Sequence, residues 1–211
     1  CVMGDHVSAL DLGLGLQKEF MENCKVDFII NGGYFDFAIC ELVEALEKGK
    51  KIPQGIWCKE NGKIVENGRY NFTGNLDDAP IIDRVFTKNH LYQHEFNLIG
   101  RPLAYIMAGR DCWYGKCTFC VWDTNLYPKG QFRGRSPENV MKEVKYLVDE
   151  LGVKEIFDDA GTIIVGPWLK KFCKLMIDSG YNKKVIYSGN MRFGAVTAED
   201  YKLMKDVHSN Y

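Results

Sequence analysis

The sequence predicts an α/β chain in two parts, the tail of a doubly wound domain followed by a partial, incomplete barrel of parallel strands. Composition comes first: of 211 residues, 46% are hydrophobic and 26% charged, which is the balance of a globular protein and excludes a disordered or fibrous one. A strand, a glycine turn and a helix follow one another between residues 25 and 50. After Arg101, strands and helices alternate with short connections, the pattern that builds parallel sheets with crossover helices.

Taken in order, Cys1 to Gly15 reads as the end of a strand entering a loop. A chain that opens on Cys and enters mid-pattern is expected to be a fragment. KVDFIING (25–32) is an apolar run closed by Asn and Gly, and the helix after it places Ile39, Leu42, Val43 and Leu46 at helical spacing. In IPQGIWCKENGKIVENG, two short runs flank Asn61-Gly62, a dipeptide that tolerates positive φ at both positions and so marks a hairpin. From Arg69 to about Leu98 the sequence is polar and aperiodic, a linker expected to lie over a surface.

The second part begins with the apolar run LAYIMAGR. Ser136 then N-caps a helix with Pro137 in its first turn, Val140, Val144, Leu147, Val148 and Leu151 on one face, and Gly152 as its stop. The strand VKEIFDD follows, then a helix from about Trp168 to Ser179 stopped by Gly180. The strand KVIYSGNMR comes next, and a last helix opens at Thr197 with Asp200 three residues on. Three such units are too few to close a barrel of eight. The expected boundaries are 1–54 for the doubly wound tail, 55–98 for hairpin and linker, and 99–211 for the partial barrel.

Formal charge is −1, from 27 basic and 28 acidic residues, so no electrostatic footprint for nucleic acid or an anionic membrane is present. No apolar run reaches the length of a membrane span and no signal segment opens the chain, which gives a cytoplasmic expectation. Acid–base pairs and nucleophile triads are not evident, so no catalytic side chain is assigned.

The chemistry is concentrated in GRDCWYGKCTFCVW, which sets Cys112, Cys117 and Cys120 within nine positions, after a strand and before a helix. That is where βα loops build sites. The other five cysteines lie singly, and clustered cysteines in a chain without a secretory signal favour metal over disulfides. A structural zinc would need a fourth ligand, Cys58 or Cys173. The C-x4-C-x2-C spacing is that of a plant-type two-iron cluster, again with a distant fourth cysteine. A four-iron cluster on three thiolates would leave one iron open to a small molecule.

At this point the residues resemble the radical S-adenosylmethionine (SAM) superfamily, whose signature is C-x3-C-x2-C with an aromatic before the last Cys. Phe119 before Cys120 fits; one extra residue separates Cys112 from Cys117. GDHVSAL, VDFIINGG with ELVEALEKGK, the hairpin, LDDAP, GRSPENVMKEV, EIFDDAGT and GNMRFGAVTAEDYKLMK resemble, in order, landmarks of the cobalamin (B12)-binding subgroup. There a Rossmann-like cobalamin domain precedes a partial TIM-type barrel. GGYF (32–35) stands where that subgroup has Gly-Glu-Gly-Glu.

The resemblance implies a [4Fe-4S] cluster on Cys112, Cys117 and Cys120, with SAM chelated to the open iron and cleaved to methionine and a 5′-deoxyadenosyl radical. It also implies Phe119 along the adenine, and cobalamin in the parent protein with methyl transfer or related radical chemistry. Asp158 and Asp159, at a strand end, would bind the cosubstrate's ribose or amine, or the substrate; Arg192 would reach a carboxylate. The plain alternatives are a core ring for Phe119, a capping or solvated pair for the aspartates and a surface Arg192. His6 is read as a loop residue rather than a cobalt ligand, and Gly13 and Gly15 carry no phosphate role. Expected partners are a small-molecule substrate and an anaerobic reductant such as a flavodoxin or ferredoxin. The alternatives from other classes are an iron–sulfur electron-transfer protein and a zinc-bound scaffold.

Overall fold

The computed structural model describes residues 2–3, 17–91, 93, 99–120, 122, 126–127 and 130–207, so Cys1, His6, Gly13 and Gly15 lie outside the described residues. The chain forms two compact units that interleave in sequence: residues 1–74 with 111–132, and residues 75–110 with 133–211.

The first unit is built on a sheet in the order β1 (Val2–Met3), β2 (Phe28–Ile30), β3 (Ile56–Glu60), β4 (Lys63–Val65). The first pair is parallel and the others antiparallel. Asn61 and Gly62 both take positive φ, 51° and 76°, which is the turn their side chains predict and the reason β3 and β4 pair in tight register. Helix α1 (Gln17–Asn23) contributes Met21 to a core with Val26 and Ile29, against which Phe20, Trp57 and Ile64 pack.

Helix α2 (Phe35–Glu47) lies where expected but is rotated from the expected face. It buries Ala38, Leu42 and Ala45, and leaves Ile39, Val43 and Leu46 exposed. Both stripes are apolar, so periodicity alone does not choose between them. The buried one is the stripe of small side chains around a single leucine, and its rotation is set by Tyr34 just ahead, which is fully buried with its ring 5.6 Å from Phe72 and 5.1 Å from Tyr127.

The second unit holds a parallel sheet, β5 (Leu103–Ile106), β8 (Glu155–Asp158), β9 (Ile186–Gly189), in that order. An antiparallel pair not foreseen from sequence, β6 (Gly109–Arg110) with β7 (Arg133–Gly134), brackets the cysteine-bearing excursion of the chain. Helix α3 (Pro137–Lys145) begins as its cap predicts, with the Ser136 hydroxyl accepting from Asn139 N at 3.1 Å. Its last turn, Tyr146–Glu150, widens to π-helical bonding before Gly152 ends it at φ 65°. Val140, Val144 and Leu147 are buried, while Val148 and Leu151 are half-buried. Removing the cap with Ser136→Ala is expected to cost about 1 kcal/mol, read as a lower urea midpoint for this unit.

Helix α4 (Pro167–Asp178) buries Leu169, Phe172, Cys173 and Met176, and ends at Gly180 with φ 74°. Helix α5 (Ala198–Val207) opens on a reciprocal cap: Thr197 N donates to Asp200 Oδ2 at 3.0 Å, and Asp200 N to the Thr197 hydroxyl at 3.2 Å.

The polar stretch before β5 does more than cover a surface. Asp77 accepts from Ser136 N at 2.8 Å, and Arg84 is buried against Glu143 of α3 at 3.1 Å. Glu143, 3% exposed, also takes Arg135 at 2.6 Å, so one carboxylate holds two guanidiniums inside the unit.

Candidate functional site

The cysteine loop belongs to the first unit. Asp111 opens it in the left-handed region, φ 70°, and accepts from Cys112 N at 2.7 Å. Gly115 also turns left-handed, φ 54°, so the longer spacing between Cys112 and Cys117 is taken up by a residue without a Cβ penalty. Cys120 N donates to Cys117 O at 3.2 Å, which closes a tight turn between these two cysteines. All three thiols are partly exposed. Phe119 is 87% exposed, so it is not a core ring; its face is open to stack.

The loop's far side is anchored. Gly33 N donates to Leu126 O at 2.7 Å, and a Cβ on Gly33 would stand 2.6 Å from the Tyr127 ring. The Gly-Gly of GGYF is thus used for close packing: Tyr127 occupies the space a longer side chain at position 33 would need.

The cysteines that would complete a four-thiolate set are used elsewhere. Cys58 is buried in β3, its thiol pushed up by burial and then by nearby Glu60. Cys173 is buried in α4 of the other unit, its thiol pushed up to about 11, mainly by burial. Burial makes both thiols harder to ionise, whereas a metal ligand must be a thiolate. Among the described residues no three His, Cys, Asp or Glu side chains converge as one ion would require. A cluster makes no such demand, because each thiolate binds a different iron, and soft sulfur donors suit it.

In the second unit, Asp158 and Asp159 divide as strand alternation requires. Asp158, 1% exposed, ties the strand ends together: its Oδ1 accepts from Ala108 N at 2.9 Å and Ala160 N at 3.2 Å, and its Oδ2 accepts from the Tyr187 hydroxyl at 3.0 Å. Gly189 is required beside it, since a Cβ there would meet Asp158 O at 2.9 Å. Asp159 is exposed. Arg192, also exposed, follows β9, and its amide donates to the Thr162 hydroxyl at 3.1 Å. Asp159 and Arg192 therefore follow neighbouring parallel strands, at their C-terminal ends.

Burial pushes the Asp158 carboxyl up, against the pull of its three donors. A folded group that keeps its proton to higher pH than the unfolded one favours folding in acid, and its contribution falls as pH rises from the ordinary value of 3.8 toward the folded value. Asp158→Asn keeps acceptor and volume, and is expected to stay within about 1 kcal/mol of the unsubstituted protein at pH 7. Asp158→Ala strands three buried donors and is expected to cost about 3 kcal/mol by urea unfolding.

The sequence reading missed Asp111 and Tyr127 as loop anchors, and the Arg84–Glu143–Arg135 group. The one signal available was a charged residue directly before a cysteine.

No protein-family model matches the chain. An uncharacterized methyltransferase of Pyrococcus horikoshii is 32% identical over 149 residues, 68% of this chain and 30% of that protein. A tRNA-2-methylthio-N(6)-dimethylallyladenosine synthase of Lachnoclostridium phytofermentans is 29% identical over 128 residues, 61% of this chain and 21% of its own length. The chain thus spans less than a third of either curated relative.

In fold, the chain is like that of the radical SAM methyltransferases. One such solved structure is TsrM of Kitasatospora setae with tryptophan substrate and a SAM analog bound, which this chain resembles with a TM-score of 0.70 and 16% identity over 98% of this chain and 39% of that one. TsrM solved with cobalamin and a [4Fe-4S] cluster gives a TM-score of 0.64 and 15% identity over 98% of this chain and 40% of that one. The resemblance carried by the cysteine loop and its ordered landmarks agrees with these likenesses, to a methyltransferase in sequence and to a radical SAM methyltransferase in fold. Among the described residues no helix is long and apolar enough to cross a membrane.

Proposed function

We propose that this chain is the cluster-bearing part of a radical SAM methyltransferase, with Cys112, Cys117 and Cys120 each ligating one iron of a [4Fe-4S] cluster. The observation that carries the reading is the division of the cysteines. Three partly exposed thiols share one short loop, and Cys58 and Cys173 are withdrawn into the core. A three-thiolate set leaves one iron for the amino and carboxylate groups of SAM. When bound and reduced, such a cluster supplies the electron that splits SAM into methionine and a 5′-deoxyadenosyl radical.

The chain's own residues then bind and orient. Phe119 offers an uncovered ring to the adenine. Asp159 is the carboxylate for the cosubstrate's ribose or amine, and Arg192 the guanidinium for a carboxylate. Asp158 acts at one remove, holding the strand ends that present them. We assign residues 1–54 to the end of a cobalamin-binding domain, 55–98 to hairpin and linker, and 99–211 to the first part of the barrel. Cobalamin is proposed for the parent protein on likeness of fold, together with a small-molecule substrate and a flavodoxin- or ferredoxin-type reductant. The isolated 211 residues are expected not to turn over.

Anaerobic reconstitution with iron and sulfide, followed by electron paramagnetic resonance of the reduced protein with and without SAM, tests this. The expected result is a four-iron signal that changes on adding SAM and vanishes in Cys117→Ala. A two-iron signal indifferent to SAM would make the protein an electron carrier, and tight zinc without a cluster would make it a scaffold.

A further inference from the structure

Asp111 is 1% exposed, left-handed at φ 70°, and bound through its carboxylate to the amide of Cys112 at 2.7 Å. A side chain other than glycine, asparagine or aspartate is strained in that conformation, and a carboxylate is costly to bury. Burial and the bond to the Cys112 amide hold Asp111 in place. The carboxylate is therefore fixed beside the first ligand cysteine, where water screens its charge poorly.

Arg69, half-buried in the stretch after β4, has its guanidinium pulled down from the ordinary value by burial, and the charge of Asp111 pushes it back up. Cluster potentials respond to the net charge nearby, to hydrogen bonds at the sulfurs and to exposure. Asp111 bears on the first two: it adds a negative charge, and it engages the Cys112 amide, a donor otherwise available to sulfur.

Resting on the cluster reading above, we propose that Asp111 is a positioning residue that fixes Cys112 and holds the reduction potential of the cluster low, with Arg69 partly offsetting its charge. A low potential is what one-electron cleavage of a sulfonium demands of its donor. The two residues act with opposite sign, which a purely structural role would not produce.

The test is a redox titration of the reconstituted 211-residue chain, followed by electron paramagnetic resonance, with iron per protein measured on each sample. Asp111→Asn keeps the acceptor oxygen and tolerates the left-handed backbone, so it is expected to load iron fully and to shift the midpoint potential positive. Arg69→Gln is expected to shift it negative. Equal midpoints in all three proteins at equal iron content would overturn the proposal, as would two shifts of the same sign. Lower iron content with unmoved midpoints would reduce Asp111 to a folding role and overturn it too. Should Asp111→Asn fail to fold by circular dichroism, Arg69→Gln and Asp111→Gly, which keeps the backbone conformation, decide the matter. Failure of the unsubstituted chain to form any four-iron cluster would instead sink the function on which the proposal rests.

Discussion

Gly55→Ala is expected to prevent the first unit from folding. Gly55 has φ 82°, and a Cβ there would lie 1.9 Å from Tyr70 N and 2.2 Å from Tyr70 Cα. No rotamer change relieves that, because the obstacle is backbone. The close approach exists for a reason: Gly55 N donates to Asn67 O, Asn31 N to Gly55 O, and Tyr70 N to Asn31 O, so the 67–70 strip is laced along the β2–β3 edge through this glycine. The expected cost exceeds about 4 kcal/mol, read as loss of the near-ultraviolet dichroism of the first unit's aromatic cluster. Gly49→Ala is the control. It also has positive φ, 59°, but nothing lies within 4 Å, so only backbone strain of about 1 kcal/mol is expected. Equal losses at the two positions would show that the clash is not what matters.

Glu143→Gln is expected to lower the stability of the second unit by about 3–5 kcal/mol, because it leaves the buried guanidinium of Arg84 and the partly buried one of Arg135 without their anion. The substitution preserves volume, so the loss reports charge rather than packing. The urea midpoint measures it, and a loss below about 1 kcal/mol would show that the two arginines find other acceptors. Candidates for that exist: Arg84 also donates to Tyr105 O, and Arg135 to the Asn139 side chain at 2.7 Å. These acceptors are neutral, and for that reason they are not expected to replace a carboxylate. Substituting all three residues by apolar ones of similar size would cost less than the single change, since no charge would then remain to be desolvated.

What the sequence disclosed was whatever short-range chemistry decides. Asn61-Gly62 specifies its turn within two residues, and Ser136 and Thr197 cap their helices through atoms three residues away. Strand alternation implied that at least one of Asp158 and Asp159 would point to the mouth of the sheet; Asp158 is buried and Asp159 exposed. What stayed hidden depends on contacts between distant residues. Glu143 meets Arg84 across 59 positions, and α2 chooses its buried stripe through Tyr34 packing on Phe72 and Tyr127. No local pattern encodes either. The same holds for the loop's allegiance to the first unit, which Gly33 and Leu126 settle. The left-handed backbone of Asp111 was invisible as well, because aspartate is common in ordinary conformations.

The interleaving of the two units imposes an order on events as the chain leaves the ribosome. The first unit is interrupted at residue 74 and completed only by residues 111–132, after the intervening stretch has been made. Its hairpin and helices can form early, yet the packing around Gly33 is incomplete until Leu126 and Tyr127 arrive. The three thiols emerge before the anchor that fixes them, and for that interval they are unstructured and open to oxidation or adventitious metal. On the cluster reading proposed above, iron delivered before Tyr127 has docked would meet a loop with no fixed geometry, and loading would belong after that point.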